Sequence, residues 1–442
     1  MTELDRIRDQ FNITPYFNIP VEDSFRDNAP LLYIHNMVTA FYRRDRQVID
    51  SSNKIILDAG CGTGSKSLIL AAANPGAKIV GIDLSAESIN IAKERFQFYG
   101  IENAEFHELS LDRARDLKIK FDYINCDEAL YLSPDIARTL GVFKSILQPN
   151  GIIRANLHSA IQREPYYRAQ RVWKKLHLMD RAPEPSDYQM LREIMKNIKN
   201  GVALKKITWQ SAYEKADSDI QLGMNHLFIG DKGFEIPELF AAIEESSLEF
   251  ISMVNWHYWD ISTIFKDLEE LPLELMFCIS EMSIAEQLHL HELFTFGQRL
   301  LDFWCGHPQR DCAIASVEDW TPEQWQQATV HYHPQLRTEN FKEEAIAAIS
   351  EIRAIALHQH LSIDDSITPL VDSLVTSCLL PLIDAPCSFQ FLAERWQNIH
   401  PIDPITLEAK TLSQAKQQIR DILIPLEEMG YILLETSRIA EH

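Results

Sequence analysis

Short apolar runs alternate with longer amphipathic segments between residues 54 and 157. The apolar runs predict strands over residues 55–57, 78–82, 105–107, 121–125 and 152–157. Helical spacing of apolar residues between these runs predicts helices over residues 67–73, 86–99 and 136–147. Strands that alternate with helices at this spacing indicate an α/β fold with a parallel, doubly wound sheet.

The rest of the chain is mostly helical in pattern. A helical lead-in includes residues 31–42, and residues 163–200 are helical and more basic. A helix over 235–245 followed by the apolar run 250–254 predicts a late return to the sheet, and residues 270–303 are predicted to be helical again.

The C-terminal third has a different pattern. Residues 311–334 contain two tryptophans and are predicted to be a linker or loop. A helix over 413–428, a turn at Met429 and Gly430, and an apolar run over 431–434 follow near the end of the chain. This succession is typical of a winged-helix-like unit.

A glycine-rich turn directly follows the first predicted strand. Gly60, Gly62 and Gly64 stand at alternate positions after Asp58. Glycine permits the positive φ angles and the close backbone approach that a ligand above such a turn requires. In a doubly wound sheet the turn lies at the carboxyl end of the strand, where the N–H groups of the next helix also face the ligand.

The spacing and charge of this turn distinguish between nucleotide ligands. A phosphate loop needs Gly-Lys-Ser/Thr after a longer spacing, and a dinucleotide fingerprint reads G-x-G-x-x-G, whereas this turn reads G-x-G-x-G. Asp58 would repel a pyrophosphate and suits a positively charged ligand such as S-adenosylmethionine (SAM). Asp83 ends the second predicted strand, where an acid accepts hydrogen bonds from ribose hydroxyls.

Together these segments resemble the class I SAM-dependent methyltransferases. Residues 55–64 resemble the glycine-rich motif of that family, and residues 80–83 resemble its ribose-binding acid. Residues 121–124 and 147–152 are similar to its fourth strand and to the turn before its fifth. The resemblance implies a Rossmann-like methyltransferase domain with SAM as its cofactor.

The resemblance also implies which residues bind SAM. The implied cofactor residues are Asp58, Gly60, Cys61, Gly62, Gly64, Asp83, Leu84, Ser110, Leu111 and Asp127. Of these, Asp58 is expected near the methionine ammonium, and Ser110 and Leu111 are expected beside the adenine. Ser110 departs from the family, which often has an acidic residue there to bind the adenine amine.

The carboxyl ends of the fourth and fifth strands supply candidates for chemistry. Asp127 and Glu128 are candidates to hold a substrate amine or accept its proton, and His158 is a candidate general base. Tyr131 and Tyr16 are candidate substrate contacts, the second as part of a lid. Each also has a structural interpretation, as a loop acid or helix cap, a satisfied loop histidine, or a buried core residue.

Composition narrows the class of protein. The net charge of −22 disfavours a nucleic-acid partner and favours cationic substrates such as amines or Lys- and Arg-rich segments. The seven cysteines include no CxxC pair, which indicates free thiols in a reducing compartment and no zinc site. No apolar run reaches the roughly 18 residues of a membrane span, and the N-terminus does not resemble a signal peptide. We therefore expect a cytoplasmic protein without a metal or a membrane partner.

The chain is longer than SAM binding requires. Residues 223–228 and 234–256 resemble the regulatory domain of some bacterial methyltransferases, among them protein-lysine methyltransferases of outer-membrane proteins, which also carry a C-terminal winged-helix-like unit. That resemblance implies methyl transfer to a protein or peptide side chain, most simply at nitrogen. Two alternatives stay open, a natural-product methyltransferase acting at O, N or C of a small molecule, and a non-catalytic interaction protein that retains the fold.

The sequence predicts four segments. They are a helical lead-in or lid over 1–50, a SAM-binding domain over 51–260 with a helical insertion near 163–230, a helical connector over 261–334, and a mostly helical, winged-helix-like domain over 335–442. The last of these either docks the substrate, packs against the catalytic domain or forms a homodimer.

Overall fold

The computed structural model describes residues 2–16, 19–215, 218–267, 270–309, 316–361 and 369–436. The chain divides into two compact units. The first comprises Met1–Phe25, Asn53–Ala71 and Gly76–Pro308, and the second comprises Arg26–Ser52, Ala72–Pro75 and Gln309–His442. This division differs from the sequence-based boundaries, since the second half of the predicted lead-in groups with the C-terminal residues and much of the predicted connector groups with the first unit.

Helices occur along the whole described part of the chain, from its N-terminal segment to residue 428. In chain order they are α1 (Glu3–Ile13), α2 (Ala29–His35), α3 (Met37–Asp45), α4 (Ser65–Ala73), α5 (Ala86–Phe98), α6 (Ile136–Ile146), α7 (Ala160–Lys175), α8 (Pro185–Asn197), α9 (Ala203–Thr208), α10 (Asp219–His226), α11 (Ile236–Glu245), α12 (Leu273–Ser280), α13 (Ile284–Thr295), α14 (Pro322–Gln327), α15 (Glu339–Ser350), α16 (Ser373–Leu379), α17 (Phe389–Ile399) and α18 (Leu412–Glu428).

A seven-stranded sheet forms the centre of the first unit. Its strands are β1 (Ile55–Ala59), β2 (Lys78–Asp83), β3 (Ala104–Glu108), β4 (Phe121–Cys126), β5 (Leu147–His158), β6 (Glu249–Met253) and β7 (Leu300–Gly306). The strand order is β3-β2-β1-β4-β5-β7-β6, and β7 is antiparallel to both of its neighbours while β1 to β5 are parallel. The predicted α/β class is confirmed, and the point at which the strand order reverses lies between the parallel strands β1 and β4.

Burial on both faces explains why the parallel strands were predictable. Leu57, Val80, Ile124 and Ile153 belong to one hydrophobic core and are fully buried. Helices cover both faces of a parallel sheet of this kind, so its central strands are nearly continuous apolar runs. The same core includes Phe303 of β7.

Two helical predictions are wrong in part. The predicted helix over 270–303 contains two helices, α12 and α13, and the second of them ends at Thr295. Strand β7 then begins at Leu300. The predicted helix over 31–42 is interrupted at Asn36, whose side chain accepts a hydrogen bond from the Val38 N–H and caps the start of α3. Asn36 has extended backbone angles, which end one helix and begin the next.

The second unit combines helices with short antiparallel strands. Strands β8 (Thr329–Tyr332), β11 (Cys387–Ser388) and β12 (Ile432–Glu435) form a three-stranded sheet with β8 in the centre, and β9 (Ile355–Ala356) pairs with β10 (Leu370–Val371). The predicted final helix, tight turn and strand are present as α18, the turn at Gly430 and β12. The predicted loop over 311–334 instead contains α14 and β8, and its residues 311–315 lie outside the described part of the chain.

Candidate functional site

The turn between β1 and α4 has the conformation that its glycines predict. Gly60, Gly62 and Gly64 have positive φ angles of 83°, 51° and 76°. A Cβ atom on Gly62 would lie 2.2 Å from the carbonyl oxygen of Tyr16, and one on Gly60 would lie 2.4 Å from the Cβ atom of Ala129. Glycine is therefore needed both for the backbone angles and for the close approach of neighbouring chain.

Asp83, at the end of β2, faces this turn. Its Oδ2 accepts a hydrogen bond from the Gly62 N–H at 3.0 Å, and its Oδ1 accepts one from the Ser85 N–H at 2.9 Å. Burial raises the pKa of Asp83, although these N–H groups favour its charged form. The carboxylate lines two adjoining cavities, and its role on a ribose stays a prediction that this position supports.

Asp58 lies beneath the turn instead of lining either cavity. Its side chain accepts hydrogen bonds from the Ser67 hydroxyl at 2.6 Å and from the Asn125 amide at 2.9 Å, and the residue is 2% exposed. Asp58 thus ties β1 to α4 and β4. Asp58 was predicted near the methionine ammonium, and from this position it can attract a ligand cation only at a distance, without lining the cavity.

The larger cavity has a volume of about 220 Å³ and mostly apolar walls. Ser110 and Leu111, predicted beside the adenine, and Leu84, predicted to bind the cofactor, line it, and these roles stay predictions; Ile7 and Phe11 of α1 line it from another side. These five residues bring the N-terminal helix together with the ends of β2 and β3.

Asp112 also lines this cavity, although the sequence reasoning did not assign it a role. Its Oδ1 accepts a hydrogen bond from the Ser110 hydroxyl at 2.5 Å. The acidic group that Ser110 lacks is therefore present two residues later. The signal that could have indicated it is the Ser-Leu-Asp sequence at the predicted adenine position.

The smaller cavity, of about 60 Å³, shares Gly60 and Asp83 with the larger one. Lys66, Asp127 and Glu128 also line it. Lys66 Nζ lies 2.8 Å from Asp127 Oδ2 and 3.0 Å from Glu128 Oε2. The structure therefore brings the two predicted acids together around a lysine that the sequence reasoning missed.

Asn156 of β5 holds both acids in place. Its amide Nδ2 donates to Asp127 Oδ1 at 2.6 Å, and its Oδ1 accepts from the Glu128 N–H at 2.7 Å. Glu128 has a positive φ of 59°, which is uncommon for a residue other than glycine. The hydrogen bond from its main chain to a side chain of β5 fixes this conformation.

Glu128 is an ionised carboxylate with several partners. Arg299 donates to its Oε1, and the Tyr16 hydroxyl donates to its Oε2 at 3.3 Å. Burial alone would raise the pKa of Glu128, but Lys66 and Arg299 lower it to about 2. A carboxylate with so low a pKa is a weak proton acceptor at neutral pH. The geometry therefore favours a role in which Glu128 binds a cation, and does not favour the predicted role in which it removes a proton.

The N-terminal segment, residues 2–16, covers the site, and we refer to it as the N-terminal lid. The carbonyl oxygen of Tyr16 accepts a hydrogen bond from the Thr63 N–H at 3.1 Å, so the lid lies directly on the glycine turn. Phe11 of the lid lines both cavities. The position of Tyr16 agrees with its predicted place in a lid, while its contact with substrate stays a prediction.

Arg95 of α5 anchors the chain that follows the lid. Its guanidinium donates to the carbonyl oxygens of Ile19 at 3.0 Å, Pro20 at 2.9 Å and Asp23 at 2.8 Å. Its Nε donates to the carbonyl oxygen of Thr63 at 3.0 Å. One fully buried side chain therefore joins this segment to the glycine turn.

His158 is buried among partners that occupy both of its ring nitrogens. Nδ1 lies 2.7 Å from Asp231 Oδ1, and Nε2 lies 3.2 Å from a guanidinium nitrogen of Arg299. Since arginine only donates, Nε2 accepts and Nδ1 carries the proton. Burial lowers the pKa of His158 to about 4, although Asp231 opposes this. The arrangement supports a structural role and does not favour the predicted general base.

Tyr131, predicted to contact substrate, stacks on this histidine. The two ring centroids are 3.8 Å apart with an interplanar angle of 19°. Tyr131 is 1% exposed and lines neither cavity. Its position agrees with the alternative interpretation as a core residue.

Comparison with known proteins bears on the class of this domain. Residues 50–217 match a family model described as a methyltransferase domain. The fold is similar to that of PKMT2 from Rickettsia typhi, with a TM-score of 0.55 and 15% identity, over 94% of this chain and 76% of that one. Residues 50–217 therefore belong to a methyltransferase domain.

Curated relatives match a limited part of the chain. An uncharacterised protein of Synechococcus is 41% identical over 109 residues, which are 24% of this chain and 26% of the relative. A ubiquinone biosynthesis O-methyltransferase of Haemophilus ducreyi is 33% identical over 108 residues, which are 23% of this chain and 43% of the relative. The matches thus span less than half of each relative.

Within the described residues, the structure also bears on metal ions, disulfides and membrane spans. No group of three or more His, Cys, Asp or Glu side chains in the described ranges is arranged to hold a metal ion. The described cysteines are free, and Cys312 lies outside the described residues. In the part of the chain that the structure describes, no helix is both long and apolar enough to cross a membrane.

The sequence reasoning missed three residues of the site, which are Lys66, Arg299 and Asp231. Lys66 stands in the first turn of the helix after the glycine turn, and its place there was a usable signal. Arg299 and Asp231 are separated by 141 and 73 positions from His158, which both contact. No local pattern connects residues at such distances.

Proposed function

We propose that this protein is a SAM-dependent methyltransferase that modifies a protein or peptide side chain, most simply at nitrogen. The observation that carries the proposal is the glycine turn, with Asp83 hydrogen-bonded to it, beside an apolar cavity in a methyltransferase domain. The likeness to PKMT2 extends over both units and favours a protein substrate. A second PKMT2 structure is of a complex with AdoHcy (S-adenosylhomocysteine), the product that SAM becomes after methyl transfer. The fold of this chain is similar to it with a TM-score of 0.54.

The residues present fit SAM. Gly60 and Gly62 line the smaller cavity without side chains, so a ligand there can approach their backbone closely. Leu84 and Leu111 form apolar walls for an adenine, Asp112 supplies an acceptor for its amine, and Asp83 supplies one for ribose hydroxyls. When bound, SAM supplies an electrophilic methyl group. The residues of this chain need only bind, align and exclude water, which can lower a barrier by about 7–11 kcal/mol.

The charges of the site favour a cationic substrate. Glu128 stays ionised because its pKa is about 2, and Asp127 lies beside it at the carboxyl end of β4. The protein as a whole has a net charge of −22, which raises the local concentration of amines and basic segments. We infer that Glu128 orients a substrate amine electrostatically, and that Asp127, which was also predicted to bind the cofactor, faces the ammonium of SAM.

A small-molecule substrate is the second candidate. Phe11 and Tyr16 of the lid line the smaller cavity beside Asp127 and Glu128, and a concave site that the lid helps to form suits a small molecule. Several curated relatives are named ubiquinone biosynthesis O-methyltransferases. The non-catalytic alternative is less favoured, since Asp83 and the glycine turn retain a geometry that an inactive site would not need.

The second unit is proposed to dock the substrate. Its three-stranded sheet and the succession of α18, the Gly430 turn and β12 support the winged-helix-like assignment. The absence of a nucleic-acid partner and the cytoplasmic location rest on charge and on cysteine usage, and they stay predictions, as does a homodimer.

The test begins with calorimetric titration of the protein with AdoHcy, for which we expect micromolar binding, about −8 kcal/mol. Cell lysate is then incubated with the protein and methyl-labelled SAM and is separated into protein and small-molecule fractions. Label in a protein band that disappears with Asp83→Ala supports the proposal. Asp116→Ala, which removes an exposed carboxylate and changes the charge equally, should leave the band unchanged. Label in small molecules alone favours the second candidate, and absence of AdoHcy binding refutes both.

A further inference from the structure

Lys66 lines the smaller cavity and bridges both of its candidate acids. Its side chain is only 18% exposed, and its ammonium lies within 3.0 Å of oxygen atoms of both Asp127 and Glu128. These attractions outweigh burial, and they raise the pKa of Lys66. The lysine is therefore charged in the structure.

Each acid also has a second cation that does not line the cavity. Arg154 lies 3.8 Å from Asp127 Oδ2, and Arg299 donates to Glu128 Oε1. If Lys66 moved away, neither carboxylate would be left buried without a positive neighbour, which is the costly situation. Lys66 can therefore change partners at a smaller cost than either arginine.

The position of Lys66 suits an anion that enters this cavity. The residue belongs to the first turn of α4, directly after the glycine turn. Unpaired N–H groups at the start of a helix favour negative charge, and the four-carbon side chain of lysine lets its ammonium move. A cationic side chain and a helix N-terminus thus act on the same small space.

We propose that Lys66 is the anchor for a ligand carboxylate in this cavity. On binding, it exchanges its ion pairs with Asp127 and Glu128 for the carboxylate at the amino-acid end of SAM or AdoHcy. Asp127 then pairs with the ammonium of the ligand. The inference rests on the proposed function and deepens it, because it assigns recognition of the amino-acid end to a specific side chain.

The exchange conserves charge. A zwitterion brings one positive and one negative group, so the two ion pairs of Lys66 are replaced by a pair between Lys66 and the ligand carboxylate and a pair between Asp127 and the ligand ammonium, while Glu128 keeps Arg299. A ligand that has the adenosine but lacks the amino-acid end cannot make this exchange. Its affinity should depend little on Lys66.

The experiment compares two ligands on variants of the full chain by calorimetry. AdoHcy carries the amino-acid end, whereas 5′-methylthioadenosine lacks it. We expect Lys66→Met to weaken AdoHcy binding at least 30-fold, which corresponds to about 2 kcal/mol, and to change 5′-methylthioadenosine binding less than threefold. Lys66→Arg, which retains a cation, should keep most of the AdoHcy affinity. Lys93→Met removes an exposed lysine of α5 and is the matched control for net charge.

The two proposals fail in different ways. If wild-type protein binds neither ligand, the proposed function is wrong. If the wild type binds AdoHcy but Lys66→Met weakens both ligands equally, or neither, the role of Lys66 is refuted. If Lys66→Met does not fold, the test uses the wild type alone and compares AdoHcy with its decarboxylated analogue. The inference requires that the decarboxylated analogue bind at least tenfold more weakly than AdoHcy. Equal affinities would overturn the inference.

Discussion

Gly62 offers a sharp test of how closely the lid approaches the glycine turn. An alanine there would keep a φ of 51°, which costs about 1–2 kcal/mol for a residue with a Cβ atom. That Cβ atom would also lie 2.2 Å from the carbonyl oxygen of Tyr16, so the lid must move. Its hydrogen bond from the Thr63 N–H would be lost, at about 0.5–1.5 kcal/mol. We expect Gly62→Ala to lower the free energy of unfolding by about 1.5–3.5 kcal/mol, the sum of these two terms.

Gly100 is the matched control for this substitution. It has a φ of 65°, but a Cβ atom on it would meet nothing within 4 Å. Gly100→Ala therefore includes the backbone strain and the change in the unfolded chain without the clash. The two variants are compared by urea unfolding followed by circular dichroism. Equal destabilisation of both variants would refute the argument that the Tyr16 carbonyl is held against Gly62.

Three further predictions concern buried polar groups. Burial lowers the pKa values of His158 and His226 to about 4 from 6.5, so the unfolded state binds protons that the folded state excludes. Stability should therefore fall as the pH drops from 6.5 towards 4, by about 1.4 kcal/mol per pH unit for each histidine, which urea unfolding at several pH values measures. Asp231→Ala leaves Arg163 buried without its carboxylate and should cost about 3–5 kcal/mol in the same assay. Arg95→Lys removes most of the carbonyl contacts that anchor residues 19–23, the chain that follows the lid, and limited proteolysis should cleave that segment roughly tenfold faster.

Exposed residues of the same types supply the controls. His226→Gln should remove one proton from the pH dependence, and His177→Gln, at an exposed histidine, is the control for the substitution itself. Asp180→Ala should cost little, since its side chain is 62% exposed. Arg113→Lys, at an exposed position, should not alter proteolysis of residues 19–23. A pH-independent stability between 6.5 and 4 would contradict the assignment of neutral, buried histidines.

The sequence predicted the parallel part of the sheet because each strand is an apolar run that ends in a turn. Strand β7 was not predicted, since Leu300–Gly306 follows a helical segment and is too short for its period to be decisive. Its strand conformation depends on hydrogen bonds to β5 and β6, and on Asp302, which pairs with Arg154 of β5. These partners are far away along the chain.

The site shows the same division between local and distant information. The glycine turn was predictable because its backbone angles are determined by the residues of the turn itself. Asp83 was predictable from its place at the end of a strand. The state of Glu128 was not, because Arg299 comes from the entry to β7, 171 positions away, and lowers its pKa together with Lys66. Without those cations a loop acid is a plausible general base.

The late position of β7 affects how the protein is made. During synthesis, residues 50–217 leave the ribosome long before Leu300–Gly306, so β5 must wait with an open edge and with Arg154 lacking the carboxylate of Asp302. An unpaired strand edge is a site for association with other chains, and such an intermediate is a natural client for chaperones. For the same reason, the shortest fragment that folds as a methyltransferase unit must extend through Gly306.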